Sequence, residues 1–150
     1  MIAYPDTSFL CALYRQQDNS REAATHFKGM AEPLHVSGPL LFEFRQSLRF
    51  QVWLHSQKPA HGFPEKDCEK ALADLQSDLD TGAVVIVSAD SAAVYREAER
   101  LSASYTKSGG HRAFDIFHIA TALVLEAEEF ISFDGNQRKL ATAEGLKLRP

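Results

Sequence analysis

Residues 34–48 read LHVSGPLLFEFRQSL, and this stretch decides the fold. The short apolar run Leu34–Val36 predicts a β-strand. Pro39 stands where a proline commonly opens a helix, and the apolar residues behind it recur at helical spacing to about His55. That stripe consists of Leu40, Phe44, Leu48 and Val52. A strand that runs straight into a helix is the building unit of parallel α/β proteins.

The same unit recurs along the chain. Further candidate strands are Ile2–Tyr4, Val84–Val87 and Phe130–Phe133, with Lys147–Arg149 as a weak fifth. Predicted helices cover residues 8–15, 20–30, 39–55, 65–81, 88–105 and 115–128, and Ser56–Pro64 predicts the surface loop of a helical hairpin. We therefore expect one α/β domain, residues 1–150, whose mainly parallel sheet of four to five strands carries helices on both faces.

Composition narrows the class of protein. The chain is 45% hydrophobic and carries a formal net charge of −4, so its overall field is not that of a strongly basic nucleic-acid-binding domain. No stretch is long and apolar enough to cross a bilayer, so we expect no membrane contact and a soluble cytoplasmic protein. Cys11 and Cys68 lack metal-type spacing and are interpreted as reduced and structural.

Four acidic residues recur at one topological place. Asp6 follows the first strand, Glu43 lies early in the helix after the second, and Asp134 follows the fourth. Asp115 begins the helix that leads into that fourth strand. In an open parallel sheet the carboxyl ends of the strands form the crevice that binds ligands, so these side chains can meet there.

If four carboxylates lie close together, their mutual repulsion must be relieved by a bound cation or by raised carboxyl pKa values. Two unit charges about 4 Å apart repel by about 4 kcal/mol at an effective dielectric of about 20. Ligation by oxygen alone selects hard ions, so we expect Mg²⁺ or Mn²⁺. Such ions activate a water for attack on a phosphodiester without a nucleophilic side chain. Asp6 and Asp115 are assigned the main ligand roles, with Glu43 and Asp134 completing the site.

Four segments carry a resemblance to a known family. YPDTSFL (4–10), LLFEFRQSL (40–48), FDIFHIATAL (114–123) and ISFDGNQRKLA (131–141) are similar to the motif blocks of PIN domains, and specifically of VapC-like toxins of toxin–antitoxin pairs. The resemblance implies a three-layer α/β/α fold and a Mg²⁺-dependent endoribonuclease that cuts an RNA substrate. It also implies a cognate antitoxin as partner, and we expect a homodimer.

The resemblance also assigns supporting residues. Asp6, Glu43, Asp115 and Asp134 match the acidic positions of the family. Ser132 stands where the family usually has Thr or Ser, whose hydroxyl supports the site, and Thr7 matches as well. Pro5 departs from the pattern, because an apolar β-former is usual at the last strand position before the acid. Proline removes one backbone donor from a presumed central strand, which puts the pairing of that strand end at risk but not the acid.

Basic residues near the acids are the candidates for phosphate contacts. His111 and Arg112 follow a glycine pair, and Arg45 and Arg138 lie within the acidic blocks. Arg49 and Lys139 could add positive charge around the same acids. For each of them alone, a solvated helix face is the more ordinary interpretation.

His118 is interpreted as a partly buried histidine that makes a hydrogen bond. The aromatic residues Phe42, Phe44, Phe50 and Trp53 are assigned to helix packing, some of them to a subunit interface.

Three alternatives remain open. Each acid alone has an ordinary explanation: Asp6 as a helix cap, Asp134 as part of a turn, Asp115 as a first-turn acid. An aspartyl-phosphate phosphatase also begins with an Asp after its first strand, but it needs a second Asp where this chain has Ser8. The alternative outside enzymes is a catalytically silent PIN-like scaffold that binds protein or RNA, against which the presence of all four acids argues.

Overall fold

A computed structural model describes all residues from Met1 to Pro150. Five short strands are present: β1 (Ala3–Pro5), β2 (Leu34–Val36), β3 (Val84–Ile86), β4 (Glu129–Ile131) and β5 (Lys147–Arg149). The helices are α1 (Thr7–Tyr14), α2 (Ser20–Gly29), α3 (Gly38–Gln57), α4 (Glu65–Thr81), α5 (Ser91–Leu101), α6 (Lys107–Gly109), α7 (Ala113–Val124) and α8 (Gly135–Ala143). A π-helical segment, Ser102–Thr106, joins α5 to α6.

All strand pairs are parallel, as the repeated strand and helix pattern predicts. β4 lies between β1 and β5, with Pro5 in register with Ile131 and Lys147 in register with Glu129. β2 pairs with β3 and forms a second, two-stranded sheet beside β1. The weak fifth strand is therefore confirmed, but the five strands do not share one continuous ladder.

Pro5 explains where that ladder is interrupted. The backbone N–H of Asp6 donates to the carbonyl of Ile131 at 3.0 Å, so this N–H group faces β4. Successive residues of a strand direct their backbone groups to opposite sides, and the missing N–H of Pro5 consequently faces β2. The pairing that Pro5 puts at risk is thus the one with β2, while the pairing with β4 is intact.

A capping residue stands between each of the first four strands and the helix that follows. Asp6 accepts a hydrogen bond from the N–H of Phe9, and Ser37 accepts one from Leu40. Asp90 caps α5 and Asp134 caps α8 in the same manner. These side chains satisfy N–H groups that a helix leaves unpaired in its first turn, and they fix the carboxyl ends of the strands to the helix starts.

The helices pack in two groups. α1 to α4 contact one another, with α3 and α4 forming the predicted hairpin, whereas α5 contacts α7, and α7 contacts α8. The extensive helix–helix contacts stay within each group, as expected for strands that lie between two helical layers, and side chains such as Glu43 and His118 link the groups only locally. A cluster of 30 buried apolar residues fills this space, and both cysteines are buried and free. None of the helices combines the length and apolar character needed for a membrane span.

Some details differ from the prediction. Helix α8 (Gly135–Ala143) lies where no helix is expected from the sequence. The helix expected to end near residue 105 continues through the π-helical segment and α6 to Gly109. Of the aromatic residues assigned to packing, Phe44 is fully buried, but Phe42, Phe50 and Trp53 point into solvent. A stripe of Leu40, Phe44 and Leu48 already fills the buried face of α3, so its other face remains open.

We expect Phe44→Ala to lower the free energy of unfolding by about 3 to 5 kcal/mol, because it empties a fully buried site on α3. The matched control is Phe42→Ala on the same helix, where the ring is 60% exposed and the loss should stay below about 1 kcal/mol. Urea unfolding followed by circular dichroism measures both. Equal losses in the two variants would contradict the assignment of the α3 core stripe.

Candidate active site

Asp6 is a fully buried acid at the carboxyl end of β1. One carboxylate oxygen, Oδ1, accepts from the hydroxyl of Ser8 at 2.6 Å and from the N–H of Phe9 at 3.0 Å. The other, Oδ2, accepts from the hydroxyl of Ser132 at 2.5 Å. Burial raises the pKa of Asp6 to about 6, although these hydrogen bonds favour the charged form.

Ser132 links Asp6 to Asp134 across the β1 and β4 strand ends. Its hydroxyl donates to Asp6 and accepts from the backbone N–H of Asp134 at 3.0 Å. The hydroxyl of Ser8 lies 3.4 Å away and accepts from the N–H of Phe133 at 2.9 Å. Two short side chains thereby fix the position of Asp6 relative to the loop that carries Asp134.

Glu43 lies on α3 and contacts α7. Its Oε2 is 2.8 Å from Nε2 of His118, and the same histidine nitrogen lies 3.4 Å from the hydroxyl of Thr7. Partial burial opposes the charge of Glu43, but the hydrogen bond and the charge of His118 outweigh it, so the pKa of Glu43 is lowered. The interpretation of His118 as a hydrogen-bonding histidine is confirmed, and its side chain is fully rather than partly buried.

Asp115 lies in the first turn of α7 and is half-buried. The amide nitrogen of Gln137 donates to its Oδ1 at 3.2 Å. Burial raises the pKa of Asp115, and the negative charges of Asp134 and Glu43 raise it further. Asp115 is therefore close enough to both acids to feel their charges, which is the mutual repulsion expected of clustered carboxylates.

The four acids consequently belong to one connected region. Asp6 reaches Asp134 through Ser132, Asp134 reaches Asp115 through Gln137, and Asp115 is coupled to Glu43 by charge. The ordinary interpretation of Asp6 and Asp134 as helix caps holds at the same time. As the side chains are placed, no three acidic, histidine or cysteine groups converge closely enough to enclose a metal ion.

The donor set of this region nevertheless fits a hard cation. All of its acidic ligands are oxygen atoms, and no lysine or arginine side chain forms an ion pair with Asp6, Glu43, Asp115 or Asp134. In addition, the amide oxygen of Gln137 is buried without a hydrogen-bond partner. A buried acceptor of this kind is free to accept from a water or to bind a cation.

The basic residues predicted to contact phosphate are not gathered around the four acids in the way that the acids are connected to one another. The guanidinium of Arg138 donates to the carbonyl of Ser132 at 2.7 Å, so it braces the end of β4. Arg112 is exposed at the start of α7, and the ring of His111 packs against Gly109. Arg45 is half-buried on α3. A phosphate-binding role for these residues stays a prediction.

Sequence reasoning missed Ser8 and Gln137. Ser8 is marked only by its place two residues after Asp6, in the first turn of α1. Gln137 has a clearer signal, because Asp134 and Gln137 have the spacing of an N-terminal capping box. Recognising that spacing would have predicted the start of α8, but not the contact between Gln137 and Asp115.

A cavity of about 260 Å³ lies at the carboxyl ends of β2 and β3, and none of the four acids lines it. Hydroxyl groups of Ser37, Ser88 and Thr121 and the aromatic rings of Tyr95 and Phe117 line it. Phe117 and Thr121 lie on α7, the same helix that carries Asp115 and His118. The cavity and the acidic region therefore share helix α7 but have no residue in common.

Several solved structures have a fold similar to that of this chain. The crystal structure of the Mycobacterium tuberculosis toxin VapC20, described as a sarcin–ricin loop cleaving toxin, superposes with a TM-score of 0.67 at 18% identity over 99% of both chains. VapBC-1 from nontypeable Haemophilus influenzae gives 0.65 at 16% identity, over 99% of this chain and 97% of that one. FitAcB from Neisseria gonorrhoeae gives 0.61 at 18% identity, over 100% and 97% respectively.

At these identities the likeness establishes the fold. No curated protein matches the sequence. The family model that matches is the PIN domain, and it aligns with residues 3–143, which include the acids at the ends of β1 and β4 as well as those on α3 and α7. The chain therefore belongs to the PIN domain family.

Proposed function

We propose that this chain is a Mg²⁺- or Mn²⁺-dependent endoribonuclease, acting in the cytoplasm as the toxin of a toxin–antitoxin pair. The observation that carries the proposal is the connected region of four acids from four separate segments, which no lysine or arginine neutralises. Residues 1–150 would form one PIN domain. The named activity of VapC20, cleavage of the sarcin–ricin loop, supports RNA as the substrate class.

The acids have distinct proposed roles. Three of the acids are partly exposed and would present oxygens to the ion and to solvent: Glu43, Asp115 and Asp134. Asp6 would complete the site from its buried side. A bound ion lowers the pKa of a water and neutralises charge on the phosphate. Ser132 and Ser8 orient Asp6, and His118 holds Glu43, while Thr7 lies beside that histidine. No side chain is required as a nucleophile.

An antitoxin and a second copy of the chain are the proposed protein partners. VapBC-1 and FitAcB are named as complexes that contain both members of such a pair, which supports an antitoxin. The exposed rings of Phe42, Phe50 and Trp53 follow one side of α3, and Phe50 stacks on Trp53. Exposed apolar surface of this kind commonly marks a protein contact, which supports a homodimer.

The activity is tested with purified protein on a mixed RNA substrate. Cleavage should require Mg²⁺ or Mn²⁺, stop in EDTA, and fall by more than about 100-fold in Asp115→Asn, because loss of a ligand should cost more than loss of an outer-shell partner. Asp80→Asn, on the exposed surface of α4, is the matched control and should retain activity. Cleavage that persists in EDTA or in Asp115→Asn would contradict the metal mechanism. Failure to cut any RNA would favour the silent scaffold.

The toxin assignment is tested in cells. Expression of the chain without a partner should arrest growth, and expression of Asp115→Asn at the same level should not, because the proposed toxicity requires cleavage. Colony counts after induction measure the effect. Arrest by both proteins would show that toxicity does not come from the acidic site.

Stability without metal should depend on pH through Asp6. Its pKa rises from 3.8 to about 6 on folding, so the folded state binds the proton more tightly, and stability is lost as pH rises through this interval. The shift corresponds to a penalty of about 2 to 3 kcal/mol at neutral pH. In EDTA, Asp6→Asn should therefore be more stable than wild type at about pH 7.5, by up to that penalty less the loss from weaker hydrogen bonds.

The readout is the difference in free energy of unfolding between wild type and Asp6→Asn, because most other titrating groups cancel in it. That difference should shift in favour of the variant between about pH 4 and about pH 7.5. A difference that does not change across this interval would show that burial does not oppose the charge of Asp6.

A further inference from the structure

Gln137 donates hydrogen bonds to the carboxylates of two of the four acids. Its backbone N–H donates to Oδ1 of Asp134 at 2.8 Å, and its side-chain nitrogen donates to Oδ1 of Asp115 at 3.2 Å. The side chain is only 3% exposed. Gln137 therefore fixes the distance between α8 and the first turn of α7 at the acidic region.

The direction of this side chain departs from ordinary helix capping. Gln137 is the third residue of α8, where a glutamine normally turns back to the backbone N–H of the capping residue. Here the N–H of Asp134 is already bonded to the hydroxyl of Ser132, and the amide of Gln137 is directed to Asp115 instead. The helix start is thus satisfied without Gln137, so its side chain is available to hold Asp115.

The other end of the same amide is unsatisfied. The Oε1 atom of Gln137 is buried and has no hydrogen-bond partner within the protein, which is unfavourable for a polar atom. Turning the amide over would place this oxygen against Oδ1 of an ionised Asp115, where two acceptors repel. A leucine of similar size would avoid both problems, so packing alone does not explain a glutamine at this position.

We infer that Gln137 is a positioning residue of the proposed metal site, which holds Asp115 through its amide nitrogen and completes the surroundings of the bound cation through its unpaired amide oxygen. The inference rests on the proposed function. It predicts that Gln137 contributes to affinity for the cation and contributes little or nothing to the stability of the metal-free protein.

The test measures Mn²⁺ binding without RNA. In protein stripped with EDTA and dialysed, Gln137→Leu should retain the wild-type melting temperature or exceed it, because the substitution removes an unsatisfied buried acceptor. In isothermal titration with Mn²⁺, the same variant should bind at least about 10-fold more weakly than wild type, as expected when an outer partner of a metal ligand is lost.

Gln76→Leu is the matched control. Gln76 also donates its amide nitrogen to an aspartate, Asp80, at 2.8 Å, but on the exposed surface of α4. This variant should bind Mn²⁺ as wild type does. A loss of affinity shared by both variants would mean that any glutamine substitution has the effect, which would overturn the assignment.

Gln137→Glu provides a second, independent comparison. A carboxylate next to Asp115 should lower the melting temperature of the metal-free protein, and Mn²⁺ should then raise it by more than it raises the wild-type value, because an additional oxygen ligand meets the ion. A Mn²⁺-induced shift no larger than that of wild type would overturn the inference.

The possible failures are distinguishable. If wild type binds Mn²⁺ and Gln137→Leu binds it equally well, the role of Gln137 is wrong and the proposed function stands. If wild type binds neither Mn²⁺ nor Mg²⁺, the proposed function fails, and the role of Gln137 fails with it.

Discussion

The hydrogen bonding of one buried carboxylate, Asp6, is the constraint on which the rest of the site depends. Its donors come from two regions that are far apart in sequence: Ser8 and Phe9 follow it directly, whereas Ser132 comes 126 residues later. They meet because β1 pairs with β4 in a fixed register, with Pro5 beside Ile131. A shift of one residue would turn Ser132 to the opposite face of the sheet and leave Asp6 without a donor to Oδ2. The register between β1 and β4 therefore determines the hydrogen bonding of Asp6.

The hydrogen-bond partners of the four acids are neutral groups or a histidine. Because none of these partners is a lysine or an arginine, the acidic region keeps its negative charge. Hydroxyls, a backbone N–H and an amide contact Asp6, Asp115 and Asp134, and His118 contacts Glu43. A nearby arginine would relieve the repulsion and lower the pKa values, but it would also occupy the place of an external cation. Arg138 lies close by, yet its guanidinium is bonded to the backbone at the end of β4. The folded chain thus keeps an electrostatic cost that a bound divalent ion would remove.

Sequence reasoning predicts the parallel strand pattern and the four acids because both follow from local signals. Leu34–Val36 and Glu65–Thr81 have the predicted limits, and even the weak strand at Lys147–Arg149 is present. The interruption beside Pro5 depends on which side its missing N–H faces, and that is set by the partner strands. The exposure of Phe42 likewise depends on how much of α3 the neighbouring helices cover. The role of Gln137 requires two contacts at once, and a single chain segment does not encode them.

Helix capping does not by itself explain why an aspartate stands at position 6. Asn, Asp and Ser are nearly equivalent as caps, so an uncharged residue would serve a buried helix start at lower cost. The chain itself provides the comparison: the buried cap after β2 is Ser37, and it bonds Leu40 and Tyr4 without carrying a charge. The aspartate cap after β3, Asp90, is exposed, where its charge is hydrated. Asp6 alone combines the burial of the first with the charge of the second. Because burial opposes that charge strongly enough to raise its pKa to about 6, the carboxylate is better explained by what it contributes to the acidic region than by the helix it caps.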